Sequence, residues 1–189
     1  MQLRELFPIT LSPNEPMTDT AAAPSMRPPA FNDLETELAN TRRVLERVPD
    51  EHWDWKPHEK SMTLGRIASH LAELPNLAVI ALTRDEFDVR DRPNTTPPAS
   101  REEVLRAFDR AAEALVSAAG AVPADGWKQS WSLKANGQTF LTMSRAAALR
   151  AMGISHSIHH RGQLTVYLRL LDVAVPGLYG PSADEKFGG

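Results

Sequence analysis

The sequence contains no cysteine among its 189 residues. Disulfides, thiolate metal ligands and thiol nucleophiles are therefore excluded, and any bound metal would be held by His, Asp, Glu or water. Neither sign of charge is in large excess, because the formal net charge is -3 and the basic residues are spread along the chain. Since nucleic-acid and polybasic membrane surfaces need clustered positive charge, we expect no nucleic-acid partner and a small-molecule ligand instead.

The sequence also lacks long apolar runs. None approaches the ~20 residues of a membrane-spanning helix. The N-terminus has no basic start followed by an apolar core, as a secretory signal would have. We therefore expect no membrane partner and a cytoplasmic location.

Proline is concentrated at the start of the chain. The first 30 residues are rich in Pro, Thr, Ala and Ser, and their prolines are too closely spaced for regular structure. We interpret residues 1–30 as a flexible N-terminal arm. Residues 31–189 are long enough for one domain with a sizeable core.

Helical periodicity recurs in four segments of that domain. Ser100 and Glu103 have the spacing of a capping box, and Pro75 removes one backbone hydrogen bond within the second segment. The predicted helices cover Phe31–Val48, Ser61 to about Leu82, Ser100 to about Ala119, and Thr142–Leu171, where Met152-Gly153 allow a break.

The chain before the last helix favours a small hairpin. Asn136-Gly137 is a tight-turn pair between two runs within Trp127–Leu141. The predicted fold class is therefore all-α, a four-helix bundle with a small hairpin before the last helix, and the order of the helices in the bundle stays open.

Half of the six histidines lie within five residues of the last predicted helix. His156 and His160 are four residues apart, so their imidazoles lie on one helix face, near enough to bind one metal ion. His159 is rotated by about 100° from His160 and faces solvent or a partner. His70 lies at the edge of the apolar face of the second helix, where it can point into the same cleft. Three imidazoles from two helices would leave coordination positions open, as catalytic sites do.

A plainer interpretation is available for the same residues. His156 and His160 can be ordinary polar residues of a helix face, and His70 a hydrogen-bonded residue at the core's edge. The spacing by itself leaves both interpretations open.

Supporting residues are weaker candidates. Glu73 follows His70 by one helical turn and is a candidate for orienting an imidazole or acting as a base, although a solvated surface carboxylate explains it too. Gln163 and Tyr167 continue the polar stripe of His160, and are candidates for contacting a ligand. Arg161 is directed elsewhere.

Several stretches of the sequence resemble the DinB-like superfamily of metal-dependent proteins. The resemblance extends roughly from Phe31 to Glu185. It is carried by His156–Leu164 (HSIHHRGQL), Ser69–Glu73 (SHLAE), Trp55–Met62 (WKPHEKSM) and Tyr179–Asp184 (YGPSAD).

The resemblance implies a four-helix bundle, commonly a homodimer, with a divalent metal such as zinc or nickel bound by one histidine of the second helix and two of the last. Carried over, these are His70, His156 and His160. The superfamily includes thiol-dependent S-transferases and isomerases alongside many members without an established reaction, so membership does not transfer a substrate.

The chemistry of such a metal suggests three functions. It would lower the pKa of a bound thiol or water, so transfer of a low-molecular-weight thiol cosubstrate to a small electrophile is the leading hypothesis. Hydrolysis of a small amide or ester is the second. A non-catalytic, metal-binding dimeric bundle is the alternative from another class, and the sequence leaves open whether the protein is an enzyme.

Overall fold

The computed structural model describes residues 31–92 and 96–186, so the predicted arm, residues 1–30, lies outside the described residues. Four helical segments form a bundle, and a small sheet precedes the last of them, which confirms the predicted fold class. The segments are α1 (Leu34–Leu45), α2 (Leu64–Thr83), α3 (Arg101–Ala121) and a final one that contains α4 (Arg145–Ala148), a π-helical segment (Leu149–Ser155) and α5 (His156–Leu170).

Side-chain caps begin the two long helices. Thr63 Oγ1 accepts a hydrogen bond from the Arg66 amide over 3.2 Å at the start of α2. Ser100 Oγ accepts from the Glu103 amide over 3.3 Å at the start of α3, and Glu103 Oε2 accepts from the Ala99 amide over 2.8 Å. These bonds satisfy amides that a helix leaves without intrahelical partners, and the predicted helix start at Ser100 is confirmed.

Helices that follow one another in the chain are not all neighbours in the bundle. α1 packs mainly against α3 and α5, and α2 packs mainly against the same two helices. Within the described residues, the order around the bundle is therefore α1, α3, α2, α5, with α1 and α2 diagonally opposite. The chain between them crosses the end of the bundle, where the Trp53 and Trp55 carbonyls accept from the Gly65 and Leu64 amides, each over 2.8 Å.

The hairpin is part of a three-stranded sheet. β1 (Glu86–Asp88), β2 (Ser130–Ala135) and β3 (Gln138–Ser144) lie in that order, with β1 parallel to β2 and β2 antiparallel to β3. Asn136 and Gly137 form the turn at φ values of 56° and 77°, as predicted. The predicted helix start at Thr142 is wrong, because β3 continues through Ser144, whose Oγ then caps α4.

The core consists of three apolar clusters. One joins α1, α2, α3 and α5, and a second fills the end of the bundle that contains Trp127. The third anchors the sheet to α2 through Phe87, Trp131 and Ala81. Because Phe87 is held there, β1 lies beside α2. In the described part of the chain, no helix combines the length and apolarity that crossing a bilayer requires.

Candidate metal centre

The last helical segment is pressed against α2 just before its histidines. Gly153 of the π-helical segment is buried, and a Cβ at this position would lie 2.9 Å from the Cβ of Ala78. Any larger residue would push the two helices apart. Ala78 lies about two turns beyond His70 on α2. The close approach therefore brings the first turns of α5 to the part of α2 that carries His70.

His70, His156 and His160 converge between α2 and α5. Their ring centroids are 5.2 Å apart for His70 and His156, 4.6 Å for His70 and His160, and 4.8 Å for His156 and His160. One ring nitrogen from each lies within 4.8 Å of the others. The Nε2 atoms of His156 and His160 are 3.0 Å apart.

One imidazole nitrogen in this cluster has no hydrogen-bond partner. His70 Nδ1 is buried, and no protein atom in the described residues forms a hydrogen bond with it. The Oε2 atom of Glu73 lies 3.9 Å away, beyond hydrogen-bond distance. Buried polar nitrogens in native proteins have a partner in most cases, and where no protein atom serves, that partner is an ordered water molecule or an ion.

Gln163 orients His160. Its Oε1 lies 2.7 Å from His160 Nδ1. Because a carbonyl oxygen only accepts, Nδ1 carries the proton, and the lone pair is then on Nε2, which faces His156. The hydrogen bond thus presents the unprotonated nitrogen of His160 to the cluster.

Burial favours the neutral forms of His156 and His160. Burial, followed by the neighbouring His160 and His70, lowers the pKa of His156 to about 4. Burial also lowers the pKa of His160, while the hydrogen bond to Gln163 acts in the opposite direction. Neutral imidazole is the form that binds a metal, so protons compete weakly for His156 and His160 near pH 7.

Glu73 is ionised beside the cluster. The His70 imidazole, then the Arg66 guanidinium, and to a lesser extent Arg92 lower the pKa of the Glu73 carboxyl, against the opposing effect of burial. Arg66 Nη1 lies 3.5 Å from Glu73 Oε1. The carboxylate is therefore available as a proton acceptor next to His70.

A cavity of about 430 Å³ opens beside His70. Its wall contains Arg66, His70, Glu73 and Arg92 together with the apolar side chains of Leu77, Ile80 and Phe87, as well as Leu74 and Asn76. This volume is in the range of small-molecule binding sites. A ligand that occupies the cavity would therefore contact His70, one member of the histidine cluster.

Comparison with known proteins agrees with this arrangement. The family model for the DinB family matches residues 25–186. The chain belongs to the DinB family. The family resemblance predicted from the histidine motif and its companion stretches is thus confirmed.

Proteins similar to this DinB-family chain include one relative and two solved structures from bacilli. It is 30% identical over 156 residues to the uncharacterized protein YrdA of Bacillus subtilis (strain 168), covering 82% of this chain and 89% of YrdA. A DinB-like protein from Bacillus cereus ATCC 10987 superposes with a TM-score of 0.63 at 23% identity, covering 82% of this chain and 100% of that one. The DinB-like protein YjoA of Bacillus subtilis gives a TM-score of 0.62 at 16% identity, with coverages of 82% and 98%. Both structures show the shared fold.

The histidines of this DinB-family chain fit a divalent metal. With metal–nitrogen bonds of 2.0–2.1 Å, two ligands of a tetrahedral ion lie about 3.3 Å apart. The Nε2 atoms of His156 and His160 need to separate by only a few tenths of an ångström from their 3.0 Å to reach that value. A ring nitrogen of His70, within 4.8 Å of a nitrogen of each of the other two histidines, is the third.

Two other polar side chains of α5, His159 and Tyr167, lie outside the cluster. His159 is exposed, and its ring contacts the ring of His160, as expected for a residue rotated away from the cleft. Tyr167 is buried in the bundle core. Its hydroxyl donates to the Met62 carbonyl over 3.3 Å, and its ring packs edge-on against Trp55. Tyr167 is thus occupied by packing, whereas Glu73 and Gln163 contact the histidines.

Sequence reasoning missed three arginines. The guanidinium of Arg161 is directed away from the histidines, as predicted. The prediction did not include its burial, and the side chain is only 1% exposed inside the bundle. Arg66 and Arg92 line the cavity, although nothing singled them out. Arg66 precedes His70 by four residues and so shares its helix face, a spacing that was available in the sequence. Arg92 follows a turn after β1, and only the fold places it here.

Proposed function

We propose that this DinB-family protein is a divalent-metal-dependent enzyme that transfers a low-molecular-weight thiol to a small electrophile. The observation that carries the proposal is the convergence of His70, His156 and His160, together with a cavity of about 430 Å³ that His70 lines. Three protein ligands leave positions of the metal open, which distinguishes catalytic from structural sites.

In the proposed enzyme, His70, His156 and His160 hold the metal, with zinc or nickel as the expected ion. Three neutral ligands leave the metal's charge uncompensated, and the bound ion supplies Lewis acidity that makes a thiol or water more acidic. Gln163 maintains the tautomer of His160 through the 2.7 Å contact with Nδ1. These residues therefore position the reaction centre.

Glu73 is the proposed proton acceptor. Its carboxylate is ionised and lies 3.9 Å from His70 at the cavity wall. It accepts the thiol proton, the sulfur forms the new bond to the electrophilic carbon, and the leaving group departs with its bonding electron pair. Because the chain has no cysteine, the sulfur comes from a cosubstrate.

Elemental analysis of tag-free protein tests the metal site. We expect about one zinc or nickel ion per chain, lost in the variants His70→Ala, His156→Ala and His160→Ala while the far-UV circular dichroism stays helical. His159→Ala is the matched control. His159 is exposed and is not one of the proposed ligands, so this variant should bind metal as the wild type does. A wild-type protein that binds no metal after incubation with zinc or nickel and dialysis contradicts the proposal.

Turnover distinguishes the chemistries. The metal-loaded protein is mixed with a small thiol and a chlorodinitrobenzene, and separately with a nitrophenyl ester. Thiol-dependent release of chloride, absent in His156→Ala, supports transfer. Ester cleavage without thiol identifies a hydrolase instead. A stoichiometric metal with no turnover in either assay favours a non-catalytic bundle, and sedimentation measures whether that bundle is the homodimer the resemblance implies.

A further inference from the structure

The cavity beside His70 has two chemically different ends. One end contains the charged side chains of Arg66, Glu73 and Arg92 around His70, and the other contains Leu77, Ile80 and Phe87. Helix α2 forms the floor from one end to the other. His70 and Ile80 are ten residues apart, so the floor is about 15 Å long at the helical rise of 1.5 Å per residue.

The charged end carries an excess of one positive charge. Arg66 Nη1 lies 3.5 Å from Glu73 Oε1, so these two side chains largely balance each other. Arg92 forms no hydrogen bond or ion pair with any residue in the ranges 31–92 and 96–186. Its charge acts on Glu73 only at longer range, and that carboxylate already faces Arg66. A single negative charge on a ligand therefore complements this end of the cavity.

The other end favours an apolar group. Phe87 is 4% exposed and held by the cluster that anchors the sheet, while Leu77 and Ile80 are partly buried against it. An apolar group placed here removes these side chains from water, which stabilises the complex in proportion to the area buried. A ligand that is polar along its whole length gains nothing at this end.

We infer that the cavity binds a small monocarboxylic acid with an apolar body, its carboxylate on Arg92 and its apolar body along α2 against Leu77, Ile80 and Phe87. A guanidinium matches a carboxylate through two parallel hydrogen bonds, which gives the acid a defined orientation. The inference rests on the proposed function in one respect: the bound acid is then the electrophilic substrate, with its carboxylate end towards the histidines.

Calorimetric titration with octanoate and with octanol, its uncharged counterpart, tests the inference. We expect octanoate to bind at least about tenfold more tightly than octanol, since a charge-assisted pair replaces a neutral contact. Arg92→Gln should reduce octanoate affinity about tenfold and leave octanol unchanged, and Arg92→Lys should restore part of the loss. Arg90→Gln is the matched control, because Arg90 is exposed on the same turn and is not part of the cavity wall.

Three results would contradict the inferred acid site. Octanol binding as tightly as octanoate removes the role of the charge. An octanoate affinity that Arg92→Gln does not alter shows that the carboxylate binds elsewhere, for example at the metal. The absence of octanoate binding overturns the inference directly.

Two further measurements separate this inference from the proposed function. Every titration is repeated after chelation and removal of the metal, and the metal content of each preparation is determined by elemental analysis. Arg92-dependent octanoate binding in a protein that never contains metal supports the acid site and overturns the metal-dependent enzyme. Stoichiometric metal without Arg92-dependent octanoate binding supports the metal site and overturns the acid site.

Discussion

Arg161, the residue that follows His160, is paired with Glu37 of α1 inside the bundle, with its Nη2 2.6 Å from Glu37 Oε2. The same guanidinium donates to the Glu37 carbonyl over 2.9 Å and to Thr41 Oγ1 over 3.2 Å. The Tyr179 hydroxyl, from the C-terminal tail, donates to Glu37 Oε2 over 2.7 Å. The helix that carries two of the histidines is thereby fixed to α1 and to the tail by hydrogen-bonded charges.

Replacing only Arg161 should destabilise the protein strongly. Arg161→Met leaves Glu37 buried without its cationic partner, and breaking a buried pair in this way costs about 3–5 kcal/mol. Urea unfolding measures the free energy. The double variant Arg161→Met/Glu37→Leu should recover much of the loss, because neither charge then remains buried.

Arg169→Met is the matched control for that experiment. Arg169 pairs with Asp184 on the protein surface, with side chains 48% and 28% exposed. Exposed pairs contribute little, so this variant should unfold at nearly the wild-type urea concentration. Equal losses in the two single variants would show that the Arg161 pair is no more important than a surface contact.

Gln163 should control metal affinity without being a ligand. Gln163→Leu removes the acceptor for His160 Nδ1, so that both imidazole tautomers become available and metal affinity falls about 10–100-fold. Competition with a chromogenic chelator measures the dissociation constant. Gln163→Glu keeps an acceptor and should retain most of the affinity. Gln138→Leu, an exposed glutamine at the start of β3, should bind metal as the wild type does.

The metal-free protein should lose stability in mild acid. The pKa of His156 is about 4 in the folded protein against an ordinary value of 6.5. Between these values the unfolded chain binds a proton that the folded chain does not, so the free energy of unfolding falls as the pH drops through this window. Urea unfolding of chelator-treated protein at a series of pH values shows the slope. His156→Gln lacks this proton and should have a shallower slope, whereas parallel slopes would contradict the prediction.

Two glycines should respond to alanine in opposite ways. A Cβ at Gly65 would overlap the indole of Trp53, and the chain connecting α1 and α2 must move to make room, at a cost of about 1–3 kcal/mol. A Cβ at Gly162 meets no atom within 4 Å on the exposed side of α5. Gly162→Ala should therefore stabilise the helix by up to about 1 kcal/mol. Thermal unfolding of both variants measures the difference, and a stable Gly65→Ala variant would refute the overlap.

Local patterns in the sequence were sufficient to predict most of the bundle. Ser100 with Glu103, and Asn136 with Gly137, determine nearby backbone through their own side chains or φ values, so the α3 start and the hairpin could be predicted. The convergence of His70 with His156 followed from helical periodicity and the family resemblance. The start of α3 and the hairpin each depend on residues within a few positions of each other, and the convergence of the histidines depends on a motif.

Long-range relations could not be predicted in the same way. β1 has three residues, and its parallel pairing with β2 joins Phe87 to Leu133 across a stretch of chain that includes α3. Arginine is a residue type that most often lies on the surface, and the burial of Arg161 is explained only by Glu37, 124 positions away. Arg92 joins the cavity because the sheet places its turn beside α2. Each depends on a partner that no local pattern identifies.

The π-helical segment at Leu149–Ser155 lies directly before the histidine pair. A π turn contains about one residue more than an α turn, so it takes up an extra residue while the helices on either side keep their directions. Deleting one residue from this segment should therefore restore an α turn and leave α5 facing α2 much as it does now. A deletion between His156 and His160 has no wide turn to absorb it, and it would rotate one imidazole by about 100° from the other. Homologues can therefore differ by one residue in the segment before α5 and still retain the three-histidine cluster.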